Sequence, residues 1–466
     1  MIPFFPKAVA NKGLMLYAIT LLVVSVVFMN YAMGLVWIVL GLLEVTLFFL
    51  LSNGLSIKWN VLPIKQFTKN LFWIALAFRV TWVVFSYYFY LNQTGQPFEF
   101  DAADSLGYHE EASWLSGETW KNVFDYLFLS RSRYSDSGYP LYLTTLYKLF
   151  GCNVFVVRLL KTVWSSFTCL LIYKLASRNL EEKAARMAGV FAMLMPNLII
   201  YCGLHLKETE MLLLIVVFLE RADYVMRSKQ YNVITITLPI VLAFSLFLFR
   251  TVLGAVALFS FLTALIFAPN NVVKKGRKIM IASWIVLAVV VLAGGVIMNE
   301  VEDLWLNRNT NQEIKRMEQT TRGNQWAQYA TGTVMAPMVF ALPFSTMVDT
   351  DQENQMVMHG GNYVRNFMGV FVLISLFGLL FLNKNWRDFT LVGSFAISYL
   401  GIISMSGFAN SERFLLPGLP CLIIFWAYGI SILNARSYRF VKYWYFIVPV
   451  MEIGWAVFKI GSRGLL

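Results

Sequence analysis

Residues Phe100 to Ala112 read FDAADSLGYHEEA and place Asp101, Asp104, His109, Glu110 and Glu111 directly after a hydrophobic run. A carboxylate held at a membrane boundary can act as a general base when its surroundings move its pKa toward working pH. In a helix that begins near Asp104, Tyr108 and Ala112 follow at i, i+4 spacing on the same face. The same position suits a second role, because an acid at a helix start satisfies free backbone N–H groups. Base and helix cap both stand at this point. Asp136, in YSDSGYPLYLTTLYKLFG, precedes a short amphipathic segment expected along a membrane interface, and an Asp before Ser-Gly is equally an ordinary turn residue.

Three further positions carry charge where the chain is otherwise apolar. In YCGLHLKETEMLLLI, His205, Lys207, Glu208 and Glu210 interrupt two apolar runs with almost no loop between them. Ionisable groups cost about 2.5–3.5 kcal/mol each at mid-membrane and less near the interface, so they need partners or a polar cavity. A Lys207–Glu208 structural pairing within the bundle is the plainer account. Arg250, in LFLFRTVLG, and Arg413, in NSERFLLPGLPCLIIFWAYGI, sit at the ends of apolar runs. Such a guanidinium can snorkel to the interface, or it can hold a phosphate bidentately.

The elements that must position these residues follow from composition. The 466 residues are 58% hydrophobic and 14% charged, against about 45–50% and about 25% in soluble domains. The expected fold is an all-α polytopic membrane protein. Apolar runs fall near 14–31, 34–52, 71–90, 154–177, 184–204, 209–227, 232–249, 251–269, 279–298, 366–383, 389–405, 414–433 and 442–460, giving about thirteen transmembrane helices. The first run is too long for a signal peptide and lacks a cleavage site, so it is read as a retained span. With the N-terminus inside, every inner connection is basic, from Lys58, Lys65 and Lys69 to Arg436, Arg439 and Lys442. The net charge of +12 is therefore a membrane signature, and nucleic acid is not an expected partner.

That parity puts two long loops, 91–153 and 299–365, on the extracytoplasmic face, where they hold sixteen of the 26 acidic residues. All three histidines, His109, His205 and His359, fall on the same side. The second loop, with TTRGNQWAQYA and LPFSTMVDTDQENQ, reads as a lid over a site, with Arg322 and Asp349 within its reach. Four single cysteines, Cys152, Cys169, Cys202 and Cys421, have no metal or disulfide spacing and are expected to be buried free thiols. The expected units are a hairpin and basic connection over 1–70, a catalytic core over 71–298, the second outer loop over 299–365 and C-terminal helices over 366–466.

Four pieces carry a resemblance: DSLGYHEEASWLSG, SDSGYPLYLTTLYKLFGCNVFVVRLLKTV, AARMAGVFAMLMPNLIIYCGLHLKETEMLLLI and SERFLLPGLPCLIIFWAYGI. Their order resembles the C-type (GT-C), polyprenyl-phosphate-sugar-dependent glycosyltransferases, in the branch of protein mannosyltransferases and lipid A aminoarabinose transferases, over residues 70 to 433. The chain departs from that pattern in having two additional leading spans, no adjacent Asp-Glu pair at the motif and no large soluble C-terminal domain. The resemblance implies Asp104 as catalytic base and Asp136 as a second site acid. It also implies Arg250, Arg413 and Lys207 around the departing phosphate, with inversion at the anomeric carbon. Asp101, Tyr108, His109, His205 and Glu208 complete the expected substrate-binding set. The implied partners are a polyprenyl-phosphate sugar donor, membrane lipids and a lipid, polysaccharide or protein acceptor, at a bacterial inner (plasma) membrane. Some relatives use a divalent metal ion and others do not. Asp104, Asp136 and a histidine offer donors for one, although three distant donors are poor grounds for a closed site.

Two rivals remain. A polymerase or ligase using a diphosphate-linked oligosaccharide favours an Arg-dominated large loop. A transporter favours repeated halves and broken helices, and no matching halves are apparent in the sequence.

Overall fold

The computed structural model describes residues 2–130, 135–228, 233–267, 278–283, 285, 338–350, 352–382, 386–404 and 411–461. All regular elements among them are helical. Among the described residues seven helices are long and apolar enough to cross a membrane, or eight if one bent pair is counted as a single span. The chain is thus a polytopic, helical integral membrane protein. Most of the expected span at 279–298 lies outside the described residues.

Helices α1 (Lys7–Val27), α2 (Leu35–Thr46), α3 (Ser52–Trp59) and α4 (Ile64–Thr94) form the first part of the bundle. Helix α4 begins after Pro63 and ends at Gly95, whose φ of 73° closes the last turn without a Cβ penalty. Helices α5 (Ala103–Gly117), α6 (Trp120–Asp125) and α7 (Gly138–Phe150) build the first long loop. A small core of Leu115, Val123 and Leu127 closes the α5–α6 hairpin, and α5 packs on α7. Helix α8 (Val154–Asn179) is the hub, packing on α4, α9 (Glu182–Leu194) and α11 (Glu208–Arg227). Helix α11 has the length of a span while carrying Glu208, Glu210, Glu220, Arg221, Asp223 and Arg227. Helices α12 (Val233–Phe247) and α13 (Thr251–Phe267) are shorter and apolar.

Connections gather at two ends. At one end, Asp349 N–H donates to Tyr31 O (2.8 Å) and Lys207 Nζ to Phe249 O (2.8 Å), drawing the turn after α1, the second long loop and the starts of α11 and α13 together. Since α5–α7 also lie there, this is termed the loop end. At the other, Arg186 Nη1 binds the carbonyls of Trp59 (2.8 Å), Asn60 (3.1 Å) and Leu62 (2.7 Å).

A break in the fifth span sets up the loop end. Pro196 has no N–H, so the carbonyl of Ala192 four residues earlier loses its helical partner. Helix α9 stops, and α10 (Pro196–Ile200) with the following turn leaves at 51°. Arg79 of α4, fully buried, takes the freed carbonyls, with Nη2 at 3.2 Å from Ala192 O and Nη1 at 3.1 Å from Met193 O. Its Nε donates to Ser165 Oγ at 2.7 Å. A cation at a helix C-terminus also faces the negative end of the helix dipole. Beyond the break, Lys161 of α8 donates to the carbonyls of Leu204 and Leu206 and so fixes the strand of chain that carries Lys207.

The end of the second long loop differs from expectation. Residues 341–348 have irregular backbone yet are buried inside the bundle, and after a short helix, Glu353–Val357, the long helix His359–Phe377 starts seven residues before the span drawn from 366. Such backbone survives in a membrane bundle only where protein groups take its hydrogen bonds. Asn366 Nδ2 donates to Pro343 O (2.8 Å) and to Ala341 O, and Ser345 Oγ donates to His359 O (2.7 Å). Of the expected lid over 299–365, the part from 299 to 337 with Arg322 lies outside the described residues. Of the cysteines, Cys169, Cys202 and Cys421 are buried, whereas Cys152 is exposed, contrary to expectation, because it follows Gly151 in the turn between α7 and α8.

Candidate functional site

Helix α5 starts one residue before Asp104, with Ala102 in the cap position and no side-chain cap bond. The cap role considered for Asp104 is therefore not the one adopted. Its carboxylate reaches instead to Arg413, in the Glu412–Leu415 helical turn. Asp101 shapes the entry to α5 with φ 48°, its carbonyl accepting from Ala103 N–H at 2.8 Å.

Arg413 joins two acids, its Nη1 binding Asp104 and its Nε binding the fully buried Glu208 at the start of α11. Arg250 Nη2 lies 3.7 Å from the same Glu208 oxygen, its Nη1 donates to Tyr399 OH (3.1 Å), and its guanidinium stacks 4.4 Å from the Phe414 ring centre. Beside them, Lys207 pairs with Asp136. Asp136 has φ 73°, a left-handed conformation that is uncommon outside glycine. It is held by the next residues, as Ser137 Oγ donates to Leu127 O (3.1 Å) and Gly138 N–H to Leu248 O (2.9 Å). Three acids and three bases from five separate chain segments thus alternate across one surface. The Lys207–Glu208 pairing considered from the sequence gives way to Lys207–Asp136 and Arg413–Glu208.

A cleft of about 500 Å³ lies beside the Asp104 and Asp136 side of this cluster, lined by Ala103, Asp104, Gly107, Tyr108, Glu111, Trp114, Tyr126 and Asp136. The α5 members follow a helical stripe, since positions 104, 107, 108, 111 and 114 recur at three- and four-residue steps. Tyr108 packs edge-to-face on Tyr139 of α7 at 5.1 Å, which anchors that stripe. Trp114, Gly107 and Tyr126 were not singled out from the sequence, and Glu111 stood only among the acids of the stretch. Gly107, Glu111 and Trp114 were legible as the continuation of the Asp104–Tyr108 face. Tyr126 joins only through the fold of the hairpin.

His109 and His205 are drawn away from the cleft, behind α5. His109 Nδ1 lies 2.7 Å from Tyr147 OH, which lies 3.2 Å from His205 Nε2, and both rings pack on Phe98. Burial pushes both pKa values down, for His109 against the pull of Glu110 and for His205 with the help of Arg158 and Lys161. They act here as hydrogen-bonding groups. Burial first, then the charge of Arg250, lowers Lys207 to about 7, while Glu208 and Asp104 pull it back up. His359 is also away from the cleft, with Nε2 2.7 Å from Tyr17 OH.

Among the described residues no three His, Cys, Asp or Glu side chains converge as metal ligands would. Asp104 and Asp136 each turn to a protein cation. No protein-family model matches the chain, and no curated protein matches it either.

Proposed function

We propose that the protein is a membrane glycosyltransferase that moves a sugar from a polyprenyl-phosphate donor to an acceptor hydroxyl at the extracytoplasmic face. The observation that carries this reading is the meeting of Asp104, Asp136, Glu208, Lys207, Arg250 and Arg413 beside one cleft at the loop end of the bundle. The basic connections at the opposite end support its orientation toward the extracytoplasmic side.

In the proposed reaction the acceptor oxygen bonds to the anomeric carbon as the bond from that carbon to the phosphate oxygen breaks. The acceptor proton passes to Asp104, and the electron pair of the broken bond leaves on the polyprenyl phosphate. Preorganised cations beside a departing phosphate stabilise the charge that develops there. In the described state Arg413 and Lys207 are engaged by Asp104 and Asp136. A phosphate entering beside them exchanges for those carboxylates, so that donor binding frees Asp104 to face the acceptor. Attack from the face opposite the phosphate inverts the anomeric carbon.

Transport without chemistry is the second reading. It draws on the break at Pro196 and on Glu412 and Glu452, which are buried in the bundle. A panel separates the readings: labelled polyprenyl-monophosphate sugars and a diphosphate-linked oligosaccharide, each with crude lipid extract, are given to the purified protein. Release of polyprenyl phosphate is expected from a monophosphate donor. Turnover of the diphosphate-linked donor alone identifies a polymerase or ligase, and donor binding without turnover identifies transport.

A further inference from the structure

The cleft extends well past the charged cluster. From Asp104 to Trp114 the α5 stripe runs ten residues, or ~15 Å at 1.5 Å per residue. At the far end Trp114 and Tyr126 meet edge-to-face with ring centres 4.9 Å apart, forming an aromatic corner. Trp114 remains 53% exposed, so this corner is not closed by packing. Glu111 lies between it and Asp104 on the same lining. Gly107 forms part of the wall, and a Cβ built on it meets nothing within 4 Å. The glycine therefore borders open space and is not there to admit a neighbouring helix.

Aromatic faces beside carboxylate oxygens are complementary to a saccharide ring. The ring's C–H faces cover aromatic surface, and its hydroxyls donate to carboxylates. The cleft volume falls within the roughly 300–1,000 Å³ of small-ligand sites. We infer that the Trp114–Tyr126 corner with Glu111 is a saccharide subsite that holds the sugar unit of the acceptor, while the Asp104 end receives the donor. This rests on the glycosyltransferase reading and narrows it, since the acceptor then presents a glycan or glycolipid and not a bare lipid or a peptide.

The test is saturation-transfer NMR on the purified protein in a detergent without sugar headgroups. The probes are methyl glycosides of hexoses and N-acetylhexosamines, with glycerol as the acyclic polyol. Transfer to ring protons of at least one glycoside, and none to glycerol, is expected. The signal falls at least about tenfold in Trp114→Ala. It falls likewise in Gly107→Leu, which narrows the cleft without displacing a neighbour. It persists in Trp120→Ala, an exposed tryptophan outside the cleft lining. Absence of transfer from every glycoside, equal transfer in Trp114→Ala and Gly107→Leu, or equal loss in Trp120→Ala overturns the assignment. Because binding is read without turnover, a protein that binds glycosides at this corner but releases no polyprenyl phosphate would overturn the reaction and leave the subsite standing.

Discussion

Helix α11 carries a buried glutamate near each end, and the two are gripped in similar ways. Glu208 at the loop end is held by Arg413 and lies 3.7 Å from Arg250. Glu220, toward the opposite end, takes Lys174 at 2.9 Å, Arg178 at 2.6 Å and Arg221 at 2.8 Å. Both carboxylates are fully buried. The surroundings differ. The Glu220 cluster ties helix ends together, with Arg178 also donating to Glu220 O (2.9 Å) and Arg227 to Asn179 Oδ1 (2.8 Å). The Glu208 cluster borders a cleft, and its outermost cation is shared with Asp104, whose side chain is 60% exposed. Ion pairing alone is no mark of function. What distinguishes the loop end is pairing beside a cavity, together with the left-handed backbone of Asp101 and Asp136, since strain of that kind gathers at functional sites.

The comparison can be broken most sharply at Asp104. Asp104→Asn removes the base while stranding no buried charge, so turnover should fall by about 10²–10⁴-fold with thermal stability unchanged. A matched loss of stability and turnover would place Asp104 in the framework instead. Next in size, Arg413→Ala leaves Glu208 buried with its main partner gone, and should destabilise the protein by about 3–5 kcal/mol in thermal unfolding. Arg178→Ala should cost less, about 1–3 kcal/mol, because Lys174 and Arg221 remain on Glu220. In detergent below its unfolding temperature the Arg178 variant should keep parental turnover and the Arg413 variant should not. Equal turnover in both would erase the distinction between the two ends.

A pH profile sharpens the same contrast. With Lys207 lowered to about 7, its positive charge is present below that pH and is lost as pH rises through it. Turnover should therefore decline above pH 7, and Lys207→Arg should move that limb upward. The stability linkage runs the other way. The folded pKa lies below the free value of 10.5, so burial opposes folding fully below pH 7 and is relieved between 7 and 10.5. An alkaline limb unmoved in Lys207→Arg would dissociate Lys207 from the reaction. The smallest effect is local: Thr119 accepts from Asn122 N–H at 3.3 Å as the cap of α6, and Thr119→Ala should cost about 1 kcal/mol without altering turnover.

Much of the bundle was legible because apolar runs and basic connections obey simple rules. The α5 stripe was legible in part, since Asp104 and Tyr108 at i, i+4 already define the face that Glu111 and Trp114 continue. Other features depend on partners far away in sequence. Arg79 in LAFRVTW reads as a costly charge inside a span until Pro196, more than a hundred residues later, frees the carbonyls that it binds. The polar segment LPFSTMVDTDQENQ reads as part of a lid, yet its first residues are buried, with Asn366 donating to the carbonyls of Ala341 and Pro343. His109 and His205 looked like site residues by proximity in sequence, whereas Tyr147 gathers them behind α5.

The central claim is that the acids at the loop end perform a transfer reaction. Its most direct test is a single-turnover experiment with the purified parent, Asp104→Asn and Arg178→Ala, each loaded with a labelled polyprenyl-monophosphate sugar. Bound donor and released polyprenyl phosphate are measured on the same samples. The account predicts bound donor in all three and release from the parent and Arg178→Ala only. Release from Asp104→Asn at the parental rate would contradict it.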